Sequence, residues 1–412
     1  RSKSMINLLF NTYPFYSFLI ECAIMASALL SIPYFLYPKL VDLLYSLKKT
    51  RKYDSLTVKS WPTVDIVFAA FNEEAVIKDK LKSILALDYP RELLKVRVGS
   101  DCSTDSTDLL LTEFMKSDES IDFLRMKKRS GKSNIINQMV NRGDSEIIIG
   151  TDANIFFRPD ALKELVTPLV LDSTIHLVGG NLVYRGMEHN SSDSVSKNEE
   201  SYINWENNLK QKEGELWGCA MGVEGGCYAI RREAFMKIPK GTLMEDFFHT
   251  MNVLKSRKKV VHSNQAICTE DVSNNSSMEF KRKIRISQGN WQNLVRFSSM
   301  IFSHTFPSGL IFLGHKVLRW LFPIFFILGV LINIGLIIKD GDILISVWSL
   351  AELMIIIFII LYPTKILPKF LSRQMKSISY FSWMNIALFL GLMRYIRTRE
   401  TGIWQPTTRN NK

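Results

Sequence analysis

Two oxygen-bearing side chains behind a short apolar run offer the clearest candidate chemistry in the chain. Residues 146–150 are rich in β-branched side chains and predict a buried strand. Asp152 and Asn154 follow two positions apart, so both face one point beyond the strand's carboxyl end. Such ligands suit Mg²⁺ or Mn²⁺ holding a diphosphate. The alternative interpretation is an Asx turn that closes the strand.

A second predicted strand, residues 96–98, also ends near a carboxylate, Asp101. Ser103 or Asp105 can cap the helix that follows, which is the structural interpretation of this stretch. Asp101 lies outside that capping role. A carboxylate in this place can accept hydrogen bonds from a nucleobase or a ribose.

Gly131 and Lys132 invite comparison with a phosphate-binding P-loop. That motif requires a glycine five residues before Gly131, where this chain has Met126, so we exclude a P-loop. Lys132 at the start of a helix remains a candidate phosphate contact, and a solvated lysine is the alternative.

These residues depend on elements whose apolar spacing alternates between strand and helix. The alternation predicts an α/β domain of Rossmann type with a mostly parallel sheet. The predicted strands are 64–69, 96–98, 146–150, 260–269 and one that follows a glycine-rich turn within 222–230. The predicted helices are 74–87, 106–114, 132–140, 202–212, 244–254, 279–295 and one that has Pro159 in its first turn.

The formal charge of +12 in 412 residues raises nucleic acid as a partner. However, much of the basic excess flanks apolar runs, which is the juxtamembrane pattern. We therefore expect a lipid membrane as the partner and no nucleic acid.

The five cysteines contain no C-x-x-C pair and predict neither a metal site nor a disulfide framework, which fits a reducing cytosolic face.

Three uncharged or nearly uncharged runs have the length of a bilayer crossing: 13–36, 320–338 and 344–361. A shorter run between Lys376 and Arg394 is expected to be re-entrant or interfacial. Residues 279–295 combine apolar helical spacing with a basic cluster, which is typical of a helix lying in the membrane interface.

Several motifs in order resemble those of family 2 glycosyltransferases, in the membrane-integrated branch that includes cellulose, hyaluronan and chitin-oligosaccharide synthases. They are Phe71-Asn72-Glu73-Glu74, Asp88-Tyr89-Pro90, Asp101-Cys102-Ser103, Gly131-Lys132, Thr151-Asp152-Ala153-Asn154 and Met244-Glu245-Asp246. Each motif alone is weak, and the ordered set is specific.

The resemblance implies a GT-A fold that uses a nucleotide-diphosphate sugar, usually linked to UDP, and inverts the anomeric centre by direct displacement. By position, Glu73 and Asp101 would hold the nucleoside, and Lys132 would lie near the nucleotide. Asp152 and Asn154 fill the metal-binding D-x-D place. An amide ligates a cation more weakly than a carboxylate, so reduced metal affinity is expected.

The same resemblance makes Asp246 the general base that removes the acceptor's hydroxyl proton. Glu245 would raise the pKa of Asp246 by like-charge repulsion. Two acids that complement the dipole of a helix N-terminus are the alternative interpretation.

The synthases' Q-x-x-R-W signature aligns with residues 282–286, where only the arginine is kept. Arg285 would bind the diphosphate, and the acceptor would meet Gln288 and Trp291, the latter on a different helix face from the missing tryptophan. Near the end of the chain, the synthases' gating loop is resembled by Trp404, Thr407 and Arg409. A basic tail with an interfacial tryptophan is the alternative there.

We therefore predict a membrane-bound inverting glycosyltransferase that transfers a sugar from a UDP-sugar to a lipid-linked or growing glycan in surface polysaccharide synthesis. A processive synthase that also translocates its polymer is the alternative, and a non-catalytic membrane scaffold a further one. The expected location is the inner (plasma) membrane, multi-pass, with the catalytic domain cytoplasmic.

The predicted segments are a transmembrane helix (1–40), a basic connector (41–60), the GT-A domain (61–275), interfacial helices (276–315), a transmembrane or re-entrant region (316–397) and a basic tail (398–412).

Overall fold

The structure is a computed structural model that describes residues 31–48, 58–185, 194–271, 276–340 and 372–398. The predicted gating residues Trp404, Thr407 and Arg409 lie outside the described residues. So do the predicted span 344–361 and most of the span 13–36.

The described residues form an eight-stranded sheet of order β3-β2-β1-β4-β7-β6-β8-β5. The strands are β1 (Val64–Ala70), β2 (Leu94–Ser100), β3 (Ile121–Arg125), β4 (Ile147–Gly150), β5 (Ile155–Phe157), β6 (Ile175–Arg185), β7 (Tyr228–Arg231) and β8 (Lys259–Asp271).

The sheet is mixed, which corrects the expectation of a mostly parallel sheet. Strands β3, β2, β1 and β4 pair in parallel, as the strand–helix alternation predicted. Beyond β4, the strand β7 runs antiparallel to both β4 and β6, and β5 runs antiparallel to β8. Only β6 and β8 pair in parallel in that half. The alternation from which a parallel sheet was predicted covers only the first half of the domain.

Helices cover both faces of the parallel half. The α-helices of the described residues are α1 (Tyr37–Leu47), α2 (Ile77–Leu85), α3 (Thr107–Ser117), α4 (Lys132–Asn141), α5 (Ala161–Leu171), α6 (Ser194–Trp217), α7 (Glu245–Lys255), α8 (Ser276–Phe297), α9 (Met300–Ser303), α10 (Leu318–Asp340) and α11 (Ser372–Arg397). Of these, α2 to α5 pack on the parallel strands.

Alternate residues of β1 explain this layering. Ile66 and Phe68 join the core formed with α2, α3 and α5, represented by Leu81, Leu111 and Leu165. Every residue of β1 is buried, so the strand is covered on both faces. On the other face, a Cβ added at the β2 glycine Gly99 would lie 2.3 Å from Ile135 in α4, so that helix packs directly on the sheet.

Strands β3, β5 and β6 were not predicted. β6 contains Gly179 and Gly180 and shifts register beside them, so it lacks a regular two-residue apolar period. The cysteine spacing showed no disulfide framework, but in the structure Cys227, next to β7, pairs with Cys268 in β8. The two cysteines are 41 residues apart in sequence, and only the β7-β6-β8 order brings them together.

The chain divides into two compact units, 41–312 with 391–412 and 1–40 with 313–390. In the second unit, the rings of Tyr34, Phe322 and Phe381 pack edge to face, with centroid-to-centroid distances of 5.2–5.6 Å. Within the described ranges, one helical segment, Thr305–Ile332, is long and apolar enough to cross a membrane, by length and composition only.

Candidate active site

Hydrogen bonds join the loops that follow β1 and β2, residues 71–76 and 101–106, which we call the paired loops. The backbone N–H of Asn72 donates to Ser103 Oγ at 3.1 Å. In return, the N–H of Thr104 donates to the Asn72 side-chain oxygen at 2.9 Å. The φ of Asn72 is 54°, in the left-handed region that asparagine tolerates better than most residues.

The same exchange continues one step further along the paired loops. The N–H of Glu74 donates to Asp105 at 3.1 Å, and the N–H of Ser106 donates to Glu74 at 2.9 Å. Asp105 also accepts from the N–H of Thr107, the first residue of α3, at 3.0 Å. The N-cap residue is Ser106 and not Ser103 or Asp105, and its side chain forms no capping hydrogen bond. The N–H of Glu73 is held by Thr107 Oγ1 at 2.8 Å, so the backbone of this predicted nucleoside contact is fixed.

Asp101 orders the loop that leads into α4. Its carboxylate is fully buried and accepts from Arg129 Nε at 3.0 Å, the Ser130 N–H at 2.6 Å and the Gly131 N–H at 3.2 Å. Gly131, with φ at 84°, immediately precedes Lys132, the first residue of α4. The position of Lys132 therefore depends on the carboxylate of Asp101. Direct contact between Asp101 and a nucleoside stays a prediction.

Lys132 brings together two of the predicted acids. Its Nζ lies 2.5 Å from Asp152 Oδ1 and also forms an ion pair with Glu245 Oε1. Desolvation alone would lower the pKa of Lys132, but the two carboxylates outweigh it and raise that pKa above its ordinary value. Lys132, Asp152 and Glu245 thus form one charge cluster, although they are far apart in sequence.

Asp246 lies in the first turn of α7, beside this cluster. Desolvation, with repulsion from Glu245 next in importance, raises the pKa of Asp246 to about 7. Its Oδ1 accepts the Phe247 N–H at 2.7 Å. Gly225 approaches it so closely that an added Cβ would lie 3.1 Å from Asp246 Oδ2. A carboxyl group with this pKa can exchange a proton near neutral pH.

Asn154, the second predicted metal ligand, donates through its side-chain nitrogen to Glu270 Oε1 at 2.7 Å. The other oxygen of Glu270 lies 3.7 Å from Arg282. Glu270 is a partner that sequence reasoning missed, since nothing in the chain's spacing links β8 to the 151–155 segment.

The donor groups of this segment fit a hard divalent cation that keeps water and phosphate ligands. Asp152 supplies a carboxylate and Asn154 a side-chain oxygen. In the part of the chain that the structure describes, no cluster of three or more His, Cys, Asp or Glu side chains could hold a metal. Asp152 and Asn154 would therefore need the substrate's oxygens to complete a Mg²⁺ or Mn²⁺ site.

Lys80 was not predicted as a site residue. It is fully buried in α2, and its Nζ donates to Thr151 Oγ1 at 2.8 Å and to the Ile155 carbonyl at 2.5 Å. Burial lowers the pKa of Lys80 well below its ordinary value, and the charge of Asp152 opposes that shift. The apolar spacing of α2 could have flagged it, because Lys80 falls on the buried face with Ile77 and Leu81.

The α8 residues approach the site to different extents. Arg285 is exposed, and its charge is attracted by Glu245 and Asp152. Gln288 is only 1% exposed, and its side-chain oxygen lacks a hydrogen-bond partner among the described residues. It lines an open cavity of about 560 Å³ together with Leu243, Gln292 and Tyr395 among others. Trp291 is buried.

The sequence matches the family model "Glycosyl transferase family 2" over residues 65–238. The chain therefore carries a family 2 glycosyltransferase domain, an enzyme domain with the GT-A type of α/β fold. This confirms the family resemblance of the motifs. The matched segment contains Asp101, Lys132 and Asp152, and it ends before Glu245 and Asp246.

Curated relatives share parts of this sequence. A probable glycosyltransferase of Bacillus subtilis, YdaM, is 25% identical over 60% of this chain and 59% of its own length. A beta-monoglucosyldiacylglycerol synthase of Nostoc is 35% identical over 29% of this chain and 26% of its own length. A poly-beta-1,6-N-acetyl-D-glucosamine synthase of Staphylococcus epidermidis is 22% identical over 57% and 56%. The matched region thus spans less than two thirds of each relative.

Among solved structures, a mannosyltransferase from Pyrobaculum calidifontis in complex with GDP-Man and Mn²⁺ superposes with a TM-score of 0.69. The alignment covers 92% of this chain and 99% of that chain at 18% identity. At this identity, the likeness establishes a shared fold.

Proposed function

We propose that this protein is a membrane-bound, inverting glycosyltransferase that transfers a sugar from a UDP-sugar to a lipid-linked or growing glycan acceptor in surface polysaccharide synthesis. The observation that carries this proposal is the position of Asp246, whose pKa is raised to about 7, directly beside Glu245 of the Lys132–Asp152 cluster. A proton acceptor and a charged donor site are therefore adjacent.

In the proposed reaction, ionised Asp246 takes the proton of an acceptor hydroxyl. The oxygen forms a bond to the anomeric carbon from the face opposite the diphosphate. The bond between that carbon and the diphosphate oxygen breaks with its electron pair, so the nucleoside diphosphate leaves and the configuration inverts. The proton stays on Asp246 until solvent removes it.

Cationic side chains support the departure of the diphosphate. Lys132 would exchange part of its contact with Asp152 and Glu245 for a phosphate oxygen, and Arg285 approaches the same carboxylates from α8. Asp152 and Asn154 would hold Mg²⁺ or Mn²⁺, which when bound neutralises charge on a diphosphate. Glu73 and Asp101, at the paired loops, would hold the nucleoside.

The acceptor would approach Asp246 from the α8 side. Gln288 offers an unpaired, buried side-chain oxygen that can accept a hydrogen bond from a sugar hydroxyl. The relatives named above include both a glycolipid synthase and a polysaccharide synthase, which supports either a lipid-linked or a glycan acceptor. Ile286 stands where the synthases have tryptophan, which favours single transfer over processive polymerisation.

Exposed apolar side chains support attachment to a lipid membrane. Helix α1 is tied to the end of α6, because Tyr45 donates to Glu215 at 2.8 Å and Lys212 donates to Asp42 at 2.7 Å. At the same end of α6, the rings of Trp217 and Phe306 pack edge to face, with their centroids 6.4 Å apart. The apolar side chains left exposed on α1 and around Phe306 include Leu43, Leu47, Phe302 and Phe306. Such a surface suits the bilayer interface, with the glycosyltransferase domain on the cytoplasmic side.

The test uses the full-length chain in native membranes, incubated with UDP-sugars and GDP-sugars in the presence of Mn²⁺ or EDTA. We expect one donor to give cation-dependent release of nucleoside diphosphate, and the Asp246→Asn variant to abolish it. Asp79→Asn, a matched change at an exposed carboxylate of α2, serves as the control.

A folded protein that releases nucleoside diphosphate from none of these donors would contradict the proposal. Unchanged release by the Asp246→Asn variant would instead favour the scaffold alternative. Sizing of radiolabelled product distinguishes a single addition from the ladder of long chains that a processive synthase would make.

A further inference from the structure

A buried lysine lies directly under the candidate ligand loop. Lys80 has no exposed surface, and within the described residues no carboxylate forms an ion pair with it. Burying an ammonium group is costly unless its donors are satisfied. The groups that satisfy it therefore indicate what this residue stabilises.

Both hydrogen-bond acceptors of Lys80 belong to one short segment. Thr151 Oγ1 lies 2.8 Å from Nζ, and the Ile155 carbonyl oxygen lies 2.5 Å from it. Asp152 and Asn154 stand between these two anchor points. The ammonium also lies 4.3 Å from the centroid of the Phe157 ring, a cation–π contact with the last residue of β5. Lys80 thus holds the segment at both ends through Thr151 and Ile155, and it forms a hydrogen bond with neither of the two ligand side chains.

Contacts extend from this anchor toward the candidate base. The hydroxyl of Thr151 accepts from Lys80 and donates to the Gly226 carbonyl at 2.9 Å. A Cβ added at Gly226 would lie 2.6 Å from the side chain of Ile155, so the backbone of Gly226 packs directly against that side chain. The neighbouring Gly225 packs against the carboxylate of Asp246. The ligand segment and the base are therefore joined by one short chain of contacts that begins at Lys80.

We propose that Lys80 is a positioning residue that fixes the 151–155 segment in the geometry required to bind the divalent cation of a nucleoside-diphosphate donor. This inference rests on the proposed function, because it concerns the donor's cation. Lys80 acts through the segment and does not itself touch the substrate. Outer-shell contacts that hold metal ligands typically change metal affinity about 10–100-fold when removed.

The decisive variant is Lys80→Met, which keeps the length of the side chain and removes its charge and donors. Lys82→Met is the matched control on the same helix, since the Lys82 side chain is 70% exposed. Binding of Mn²⁺ to the full-length protein in the presence of UDP or GDP is measured from the free-ion signal in electron paramagnetic resonance. Thermal unfolding verifies that each variant is folded.

We expect Lys80→Met to raise the Kd for Mn²⁺ about tenfold or more, and Lys82→Met to leave it unchanged. Lys80→Gln, which keeps an N–H donor, should give an intermediate Kd, a partial rescue that mere filling of space would not produce. A folded Lys80→Met protein with the wild-type Kd would overturn the proposal. If Lys80→Met does not fold, Thr151→Val decides the question, because loss of the hydroxyl should also weaken Mn²⁺ binding.

The outcomes separate this inference from the proposed transfer reaction. A wild-type protein that binds Mn²⁺ with the nucleotide but transfers no sugar contradicts the transferase proposal and still permits the Lys80 comparison. A wild-type protein that binds no Mn²⁺ with either nucleotide overturns the role of Lys80. In that case, sugar transfer in EDTA would leave the transferase proposal intact.

Discussion

The side-chain amide of Asn154 donates to Glu270 at 2.7 Å, and this contact gives a structural reason for an amide at this position. An aspartate at residue 154 would place a second carboxylate against Glu270. The departure from the D-x-D pattern is therefore matched by a specific partner on β8.

Replacing Asn154 by Asp should lower the Tm in the absence of divalent cations, because a hydrogen bond to a charged group is replaced by repulsion, a loss of about 2 kcal/mol. The double change Asn154→Asp with Glu270→Gln should restore the Tm and bind Mn²⁺ more tightly than the wild type. Thermal unfolding and Mn²⁺ titration measure the two effects, with Glu270→Gln alone as the control. An unchanged Tm in the single variant would contradict this explanation.

The rate of sugar transfer should rise with pH through about 7, the raised pKa of Asp246, because only the ionised carboxylate accepts a proton. Below that pH, the rate should fall about tenfold per pH unit. Glu245→Gln removes a repulsive charge and should lower the pKa of Asp246. The acid limb of the pH–rate profile, the range in which the rate rises with pH, should then move to lower pH. A pH–rate profile in saturating donor tests this, and Glu113→Gln at an exposed site is the control. A limb that stays in place in the Glu245→Gln variant would show that another group titrates.

Lys132→Met should weaken binding of the nucleotide-sugar donor and change the pKa of the candidate base, Asp246. Loss of a charge-assisted contact to phosphate should raise the KM for the donor about 10–100-fold. Lys132 lowers the pKa of Asp246, so its removal should also shift the acid limb of the pH–rate profile to higher pH. Lys78→Met, at an exposed position of α2, is the control. A change in KM without the pH shift would place Lys132 at the donor alone.

A buried ion network at the start of the sheet should dominate the stability of the parallel half. Asp65 has no exposed surface, contacts Arg232 and accepts from Arg97 Nε at 2.8 Å. Asp65→Ala leaves two arginines without their shared partner and should lower the free energy of unfolding by about 3–5 kcal/mol. Asp88→Ala removes an exposed pair with Lys163 and should cost less than about 1 kcal/mol. Denaturant unfolding compares the two, and equal losses would argue against the network.

The sequence allowed prediction of those features that depend on local patterns. Strands β1, β2 and β4 and helices α2 to α5 were recognisable because apolar periodicity and caps are local. Of the β3 residues only Ile121 is buried, β5 has three residues, and β6 contains two glycines at a register shift. The pairing of these strands therefore depends on neighbours that the sequence does not identify. The antiparallel half of the sheet was missed for this reason.

The candidate site shows the same division. Lys132, Asp152, Glu245 and Asp246 were named from the sequence, and the structure brings them together. Lys80 and Glu270 were not named, because the apolar spacing of α2 marks Lys80 as buried without giving it a role, and an acid near a strand's end has no recognisable motif. Their importance comes only from tertiary contacts. The roles of Glu73, Arg285 and Trp291, and of the tail residues, stay predictions.

The paired loops have a practical consequence for redesigning the protein. Asn72 and Glu74 each donate a backbone N–H to a side chain of the opposite loop, and each accepts one in return, so neither loop keeps its shape alone. Chimaeras that exchange one loop with a relative would break reciprocal bonds on both sides. An exchange intended to alter nucleotide preference should therefore transplant residues 71–76 and 101–106 as a single cassette.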